Sequence, residues 1–230
     1  MRSDKTTKAG HVREMFGSIA ARYDLANHVL SCGVDFYWRA RAAEMVAEWH
    51  PNTIADLATG TGDLALAIQK KLPHTQLTGV DFLPEMLKLA QRKGVRRVVM
   101  ADAMNLPFAD ESFECVTIAF GLRNLESYPA ALAEMRRVLT PGGHLLVLEF
   151  SLPRTSFLRA AYRFYLHRCL PLLGSFLTQE KTAYDYLGDS IEQFPNGNEM
   201  CELMRKTGYV SPSFEPLTGG IVTVYTAAKS

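Results

Sequence analysis

Cysteine is scarce, and its placement excludes more than its number does. The four cysteines, Cys32, Cys115, Cys169 and Cys201, include no C-x-x-C pair. Neither a disulfide framework nor a zinc site is expected, and the pattern suits reduced thiols in a cytosol. An excess of charge is missing too. The net charge is +1, which gives no general attraction to nucleic acid or to acidic lipid. No apolar run reaches the roughly 18 residues of a membrane span. The opening MRSDKTTKAGHVREMF is polar and lacks the apolar core of a signal peptide. The six histidines, at 11, 28, 50, 74, 144 and 167, show no metal-ligand spacing. There is no internal repeat and no low-complexity tract. What these absences leave is a soluble cytoplasmic chain of 230 residues, 47% hydrophobic, long enough to bury a sizeable core.

What is present is an alternation. TIADLA is a short β run, followed by glycines and then by DLALAIQKKL with helical spacing. QLTGVD, RRVVMA, FECVTIAF and HLLVLEF read as four more strands. Between them, LPEMLKLAQRK carries Pro84 near a helix start, and YPAALAEMRRVL puts Leu132, Met135, Val138 and Leu139 on one helical face until PGG stops it. Strands alternating with amphipathic helices predict a parallel sheet covered by helices on both faces. A helix over about 198–207 and two terminal strands joined by LTGG predict an antiparallel hairpin added at the end. The expected layout is one domain over 1–230. It comprises a helical cap over 1–50, a ligand-binding core over 52–150, an aromatic-rich cap over 151–195, and the terminal helix and hairpin over 196–230.

DLATGTGDLA, Asp56 to Ala65, is where chemistry enters. GTGDLA satisfies G-x-G-x-x-A, the loose fingerprint of a loop that lets a ligand approach the backbone. The same glycines could merely tighten a strand-to-helix corner. No Lys-Ser/Thr follows, which argues against a nucleoside triphosphate. Asp81 ends the second strand, where a carboxylate accepts from ribose hydroxyls. Asp102 ends the third, within reach of the exocyclic amine of an adenine. Asp56, Asp63 and Asp81 lie close together, with no basic cluster beside them. That suits a ligand with a positive centre and no phosphate, such as S-adenosylmethionine, better than a pyrophosphate.

The resemblance is then specific. DLATGTGD, GVD, ADAMNLPFADESFECVTIAFGLRNL and RVLTPGGHLLVLEFS resemble class I methyltransferases. FGLRN (120–124), EFSLP (149–153), YDYLGDSIEQFP (184–195), MFGSIAARYDLANHVLSCGVDFYWR and GGIVTVYTAAK are similar, more narrowly, to the ubiquinone/menaquinone biosynthesis C-methyltransferase family. The resemblance covers nearly the whole chain. It implies a Rossmann-like class I fold, with a seven-stranded, mostly parallel sheet closed by an antiparallel C-terminal hairpin strand. It implies S-adenosylmethionine as cofactor, held by Tyr23, Gly60, Thr61, Gly62, Asp81, Phe82, Asp102, Ala103 and Ala119. The position of Ala119 is often serine in the family. A lost neutral hydrogen bond there is worth about 0.5–1.5 kcal/mol.

The implied reaction is methyl transfer to a ring carbon of a polyprenyl quinol, without a metal. Sulfonium and phenolate charges cancel on the way to product, so a dry pocket favours it. The catalytic candidates are Arg123 and Asn124, which directly follow strand four where strand ends line the ligand crevice, together with Asp24. Arg123 cannot be a base at neutral pH. It can stabilise a phenolate or hold a water, and Asn124 can orient the quinol oxygen. The alternative for Arg123 is a solvated or salt-bridged loop residue. Tyr23 and Asp24 either close over the cofactor or are a core tyrosine beside a helix-capping aspartate. Tyr184, Asp185 and Tyr186 are either pocket residues or core. RTSFLRAAYRFYLHRCLPLLGSFL (154–177) is an amphipathic membrane-surface helix, a pocket cover, or a buried helix with arginines facing water.

Other readings stand beside the leading one. They are a methyltransferase for another small acceptor, an NAD-dependent oxidoreductase, and a non-catalytic scaffold on the same fold. The terminal hairpin, in place of a second nucleotide-binding half, argues against the oxidoreductase. Demethylmenaquinol is preferred to the benzoquinol of ubiquinone biosynthesis. No nucleic-acid partner is expected. Localisation is cytoplasmic, with peripheral contact at the inner membrane face through 154–177 as an option, and a homodimer is one option for assembly.

Overall fold

The structure, a computed structural model, describes His28, Ser31, residues 33–170 and residues 181–230. Helix α1 (Val34–Glu48) leads into β1 (Thr53–Leu57), α2 (Asp63–Lys71), β2 (Gln76–Asp81), α3 (Pro84–Lys93) and β3 (Val98–Met100). The chain continues through β4 (Phe113–Ala119), α4 (Tyr128–Val138) and β5 (Leu139–Phe150). Then come α5 (Ser156–Phe164), which runs into a π-helical turn (Tyr165–Cys169), and α6 (Lys181–Gln193). The last elements are α7 (Asn198–Lys206), β6 (Tyr209–Leu217) and β7 (Val222–Lys229).

The strands form one seven-stranded sheet in the order β3-β2-β1-β4-β5-β7-β6. β1 to β5 run parallel, and β7 pairs antiparallel with both β5 and β6. This is the expected doubly wound architecture with its terminal hairpin. Side chains alternate between the two faces with the period of two that a strand imposes. Ile54, Cys115, Leu146 and Leu148 pack with Trp38, Val46, Leu64, Ile68 and Ala90 of α1, α2 and α3. Ala55, Leu57, Val116, Ile118, Leu145 and Val147 pack with Leu132, Met135, Met200 and Met204 of α4 and α7.

Several strand boundaries differ from expectation, three of them with a visible cause. TPGG was expected to precede the fifth strand, yet β5 already begins at Leu139, which pairs with Phe113. Pro141 keeps Thr140 out of the helical region, so α4 ends at Val138 and the chain is extended at once. Residues 140–143 then loop out before pairing resumes at Cys115 and His144. The strands expected to run to Ala58 and Phe120 stop one residue sooner. Both residues adopt left-handed backbone, at φ 47° and 56°, which turns the chain off the sheet abruptly.

Those exits matter because β1 is the topological switch point. The chain proceeds from β1 to β2 and β3 on one side, and returns to β4 and β5 on the other. The crevice beyond the carboxyl ends of β1 and β4 is where such sheets bind ligands. The two exits also touch: a Cβ on Gly121 would lie 2.6 Å from the Cβ of Ala58. Gly121→Ala is therefore expected to destabilise the protein by about 1–3 kcal/mol through overpacking. Ala58→Gly should recover at least ~0.5 kcal/mol of that loss in the double variant. Urea unfolding of the four-member cycle checks this, and strict additivity would contradict the contact.

Candidate functional site

The glycine loop leaves β1 through Ala58 and Thr59. Gly60 and Gly62 adopt φ 56° and 90°, values that glycine takes without the penalty of a Cβ. Gly62 is also packed, since a Cβ there would sit 2.5 Å from Val95 Cγ2. Gly60 faces open space, with nothing within 4 Å of a built Cβ. One glycine therefore serves helix packing, and the other leaves backbone open to a ligand.

Two buried carboxylates hold the loop. Asp56 pairs with Thr117 in the sheet register. Its Oδ1 accepts from the Thr117 hydroxyl at 2.6 Å and its Oδ2 from the Thr59 hydroxyl at 2.6 Å. Asp81 accepts from the Gly60 N–H at 2.9 Å through Oδ2 and from the Leu83 N–H at 2.9 Å through Oδ1. Burial pushes the Asp56 carboxyl up to about 6, against the two hydroxyl donors, with the Asp81 charge raising it further. Burial likewise raises Asp81, against its backbone donors. Two strand tips thus carry carboxylates whose charged forms lack solvation, which a bound cation would supply.

A charged chain joins α1 to this loop. Asp35 is buried and accepts from His28 Nδ1 at 2.6 Å, from the Ser31 hydroxyl at 2.7 Å, and from Arg39. Arg39 Nη2 lies 3.7 Å from Asp63, and its guanidinium carbon lies 5.3 Å from the centre of the Phe120 ring. Asp63, in the first turn of α2, also pairs with Lys93. Lys93 donates to the Thr61 hydroxyl at 3.1 Å.

The β4 exit carries the other candidates. Arg123 is buried, and its Nη1 donates to Glu149 Oε1 at 2.6 Å and to the Phe120 carbonyl at 2.6 Å. Its backbone N–H reaches Glu149 Oε2 at 3.3 Å. Asn124 Nδ2 donates to the Phe120 carbonyl at 3.4 Å, and Asn124 Oδ1 accepts from the Tyr186 hydroxyl at 3.3 Å. Of the two readings of Arg123, the ion pair is what its geometry displays, and it is buried rather than solvated.

The other expected residues fall as follows. Gly60, Thr61, Gly62 and Asp81 gather at the β1 and β2 ends, with Phe82 beside them packed against Leu83, Met86 and Leu89. Thr61 is buried, with its hydroxyl engaged by Lys93. Asp102 is exposed, and its Oδ1 accepts from the Met104 N–H at 2.9 Å, shaping the turn after β3. Ala103 is buried. Ala119 is the last residue of β4, paired with Leu148. Tyr23 and Asp24 lie outside the described residues, and Tyr184 and Asp185 fall in α6. Glu149 and Arg39, both central to this geometry, were not among the expected site residues, and Asp56 was expected only as one of three clustered acids. Each had a signal in the sequence, as a charge set in an apolar strand or on a helix expected to pack.

The fold defines a class. A SAM-dependent methyltransferase of Thermotoga maritima superposes with a TM-score of 0.68 at 21% identity, covering 94% of this chain and 100% of that one. At that identity the likeness speaks for the class I methyltransferase fold alone. The chain belongs to the ubiE/COQ5 methyltransferase family, whose model matches residues 2–229. It is 42% identical to the demethylmenaquinone methyltransferase of Deinococcus radiodurans, over 98% of this chain and 95% of that protein. It is also 42% identical to the ubiquinone/menaquinone biosynthesis C-methyltransferase UbiE of Geotalea daltonii, over 97% and 98%. The family membership sets aside the oxidoreductase and scaffold readings.

The Asp56 environment sets a pH dependence. The carboxyl ionises near 3.8 when unfolded and near 6 when folded. The native state therefore holds the proton more tightly, and stability falls as pH rises through that window. Asp56→Asn removes the effect. Relative to the variant, the parent should lose on the order of 2–3 kcal/mol between pH 4 and 7. Urea unfolding of both proteins across that range measures the difference, and parallel profiles would refute the assignment.

Proposed function

We propose that the protein transfers the methyl group of S-adenosylmethionine to a ring carbon of a demethylated prenyl quinol, with demethylmenaquinol as the preferred acceptor. The observation that carries the donor assignment is the pair of under-solvated carboxylates at the β1 and β2 ends beneath an open Gly60. A sulfonium supplies the missing positive charge, and the ribose hydroxyls of the same molecule fit an acceptor such as Asp81, whose two oxygens offer about four lone-pair sites and take backbone donors from Gly60 and Leu83. The acceptor assignment is supported by the relatives of this chain, which are demethylmenaquinone and ubiquinone/menaquinone methyltransferases.

The donor supplies an electrophilic methyl group. As the new carbon–carbon bond forms, the carbon–sulfur bond breaks and sulfur keeps its electron pair. The ring carbon then loses its proton to a water held beside Arg123, which restores aromaticity. Arg123 remains charged at any working pH, so its part is electrostatic: it lowers the cost of negative charge on the quinol oxygen. Asn124, held between the Phe120 carbonyl and Tyr186, orients that oxygen.

The decisive assay incubates the protein with methyl-labelled S-adenosylmethionine and each reduced demethyl quinone, followed by mass spectrometry of the ring. Methylation of the naphthoquinol at the higher rate is expected. Asn124→Ala should lower that turnover at least about tenfold, a loss of ~1.4 kcal/mol, while donor affinity stays within about twofold. Absence of label in either ring would end the quinol reading.

A peripheral membrane contact belongs to the same proposal. Tyr162, Leu166 and Leu170 turn one face of the α5 run onto Ile191 of α6. The opposite face leaves Phe157 and Phe164 exposed, at 87% and 64%. These two are seven residues apart, two helical turns on one side, and Arg154, Arg159, Arg163 and Arg168 are exposed around them. Apolar side chains ringed by cations suit an anionic lipid surface, where a prenylated substrate resides. Among the described residues, no helix is long and apolar enough to cross a membrane. Phe157→Ser with Phe164→Ser should abolish co-sedimentation with anionic liposomes while leaving turnover on a short-chain quinol intact. Equal pelleting of parent and variant would overturn the contact.

A further inference from the structure

We infer that Glu149 is a positioning residue that cancels the long-range repulsion between Arg123 and a cationic methyl donor. The inference rests on the assignment of S-adenosylmethionine above. Glu149 lies in β5 with no exposed surface, a carboxylate in the otherwise apolar stretch 145–150. It grips Arg123 twice. Oε1 accepts from Nη1 at 2.6 Å and Oε2 from the backbone N–H at 3.3 Å, while Oε1 also accepts from the Phe150 N–H at 2.9 Å. The guanidinium carbon sits 5.2 Å from the centre of the Phe150 ring. The pair is therefore fixed in place and largely removed from water.

The setting makes the charge count. Arg123 is on the turn that leaves β4, and that turn abuts the glycine loop at Gly121 and Ala58. Tyr128, Tyr162 and Tyr186 close in on the pair, and burial raises the pKa of all three, so each remains a neutral hydroxyl. A bare guanidinium in such poorly solvated surroundings would repel a sulfonium across the crevice, because Coulomb energy scales inversely with dielectric constant. With Glu149 in place, the pair is neutral from a distance and cationic only to a group in contact with the guanidinium. The quinol oxygen then meets a cation while the donor does not.

The test compares S-adenosylmethionine with S-adenosylhomocysteine, its neutral thioether product, by calorimetry. The proteins are the parent, Glu149→Gln, Arg123→Met and the double variant. Glu149→Gln is expected to weaken the sulfonium ligand at least about tenfold, and the thioether no more than about threefold. Arg123→Met should shift the ratio of the two affinities at least about threefold toward the sulfonium. The double variant, which removes both charges, should return to the ratio of the parent. A collapsed turn would weaken both ligands alike, so equal losses in Glu149→Gln overturn the inference. Should that variant fail to fold, an unshifted ratio in Arg123→Met, or a double variant that disfavours the sulfonium, overturns it as well. A parent that binds neither ligand sinks the donor assignment itself, an outcome distinct from parent binding with equal losses in the variants.

Discussion

The arrangement depends on keeping two carboxylates buried at adjacent strand tips. Among the described residues, neither Asp56 nor Asp81 forms a salt bridge, and the Arg39 charge reaches Asp56 only from a distance. Each is held by hydrogen bonds, Asp56 by two threonine hydroxyls and Asp81 by backbone N–H groups. Such bonds orient a carboxylate but do not repay the whole cost of its burial, which is why both groups hold their protons more tightly than in water. A fold that retains this cost gains a site already shaped for a positive ligand. The Asp81 bond to Gly60 also ties β2 to the loop leaving β1, so the same group that favours the ligand fixes the backbone beneath it.

The second constraint is backbone strain at the strand exits. Ala58 and Phe120 both take left-handed conformations, which cost roughly 1–2 kcal/mol for a residue with a Cβ. Strain of this kind persists only where surrounding contacts over-determine it. For Phe120 those contacts are visible. Its carbonyl accepts from Arg123 Nη1 and Asn124 Nδ2, its N–H bonds the Leu148 carbonyl at 2.8 Å, and its ring packs near Trp38, Phe150 and the Arg39 guanidinium. The buried Arg123–Glu149 pair is thus part of what keeps the β4 exit in its unusual shape. Electrostatic and conformational roles fall on the same two residues.

Much of this frame was legible in the sequence, because alternation of period two and period 3.6 directly encodes which side is buried. The five parallel strands, the helices between them and the terminal hairpin all appear where the pattern placed them. The glycines were legible for the same local reason. What escaped was non-local or lacked a residue signature. Nothing in alanine or phenylalanine announces a positive φ, so Ala58 and Phe120 were read as strand. Leu139 pairs with Phe113 across 26 positions, and that pairing, not PGG alone, starts β5 early. Glu149 stood out as a charge in HLLVLEF, but only the fold brings Arg123 onto it. Asp102 was read as a ligand acceptor from its position after β3, while the structure shows its carboxylate also shaping its own turn.

The cap side follows from the same logic of shared anchors. Asp35, Arg39 and Asp63 link the start of α1 to the start of α2, and Lys93 carries the link to Thr61 in the glycine loop. His28 joins at Asp35 and lies 3.9 Å from Asp63. Arg39 and Lys93 thus converge on Asp63 in the first turn of α2, and with Asp35 they make two cations against two carboxylates. An acid at a helix N-terminus is also favoured by the helix dipole, so this side of the loop is balanced in charge while its guanidinium and ammonium carry several donors each. Such donors complement an anionic group near the loop, and a methionine-derived ligand carries a carboxylate as well as a cation. Negative strand tips on one side of Gly60 and positive side chains on the other match both ends of a zwitterion. A pyrophosphate would meet Asp56 and Asp81 with the wrong sign.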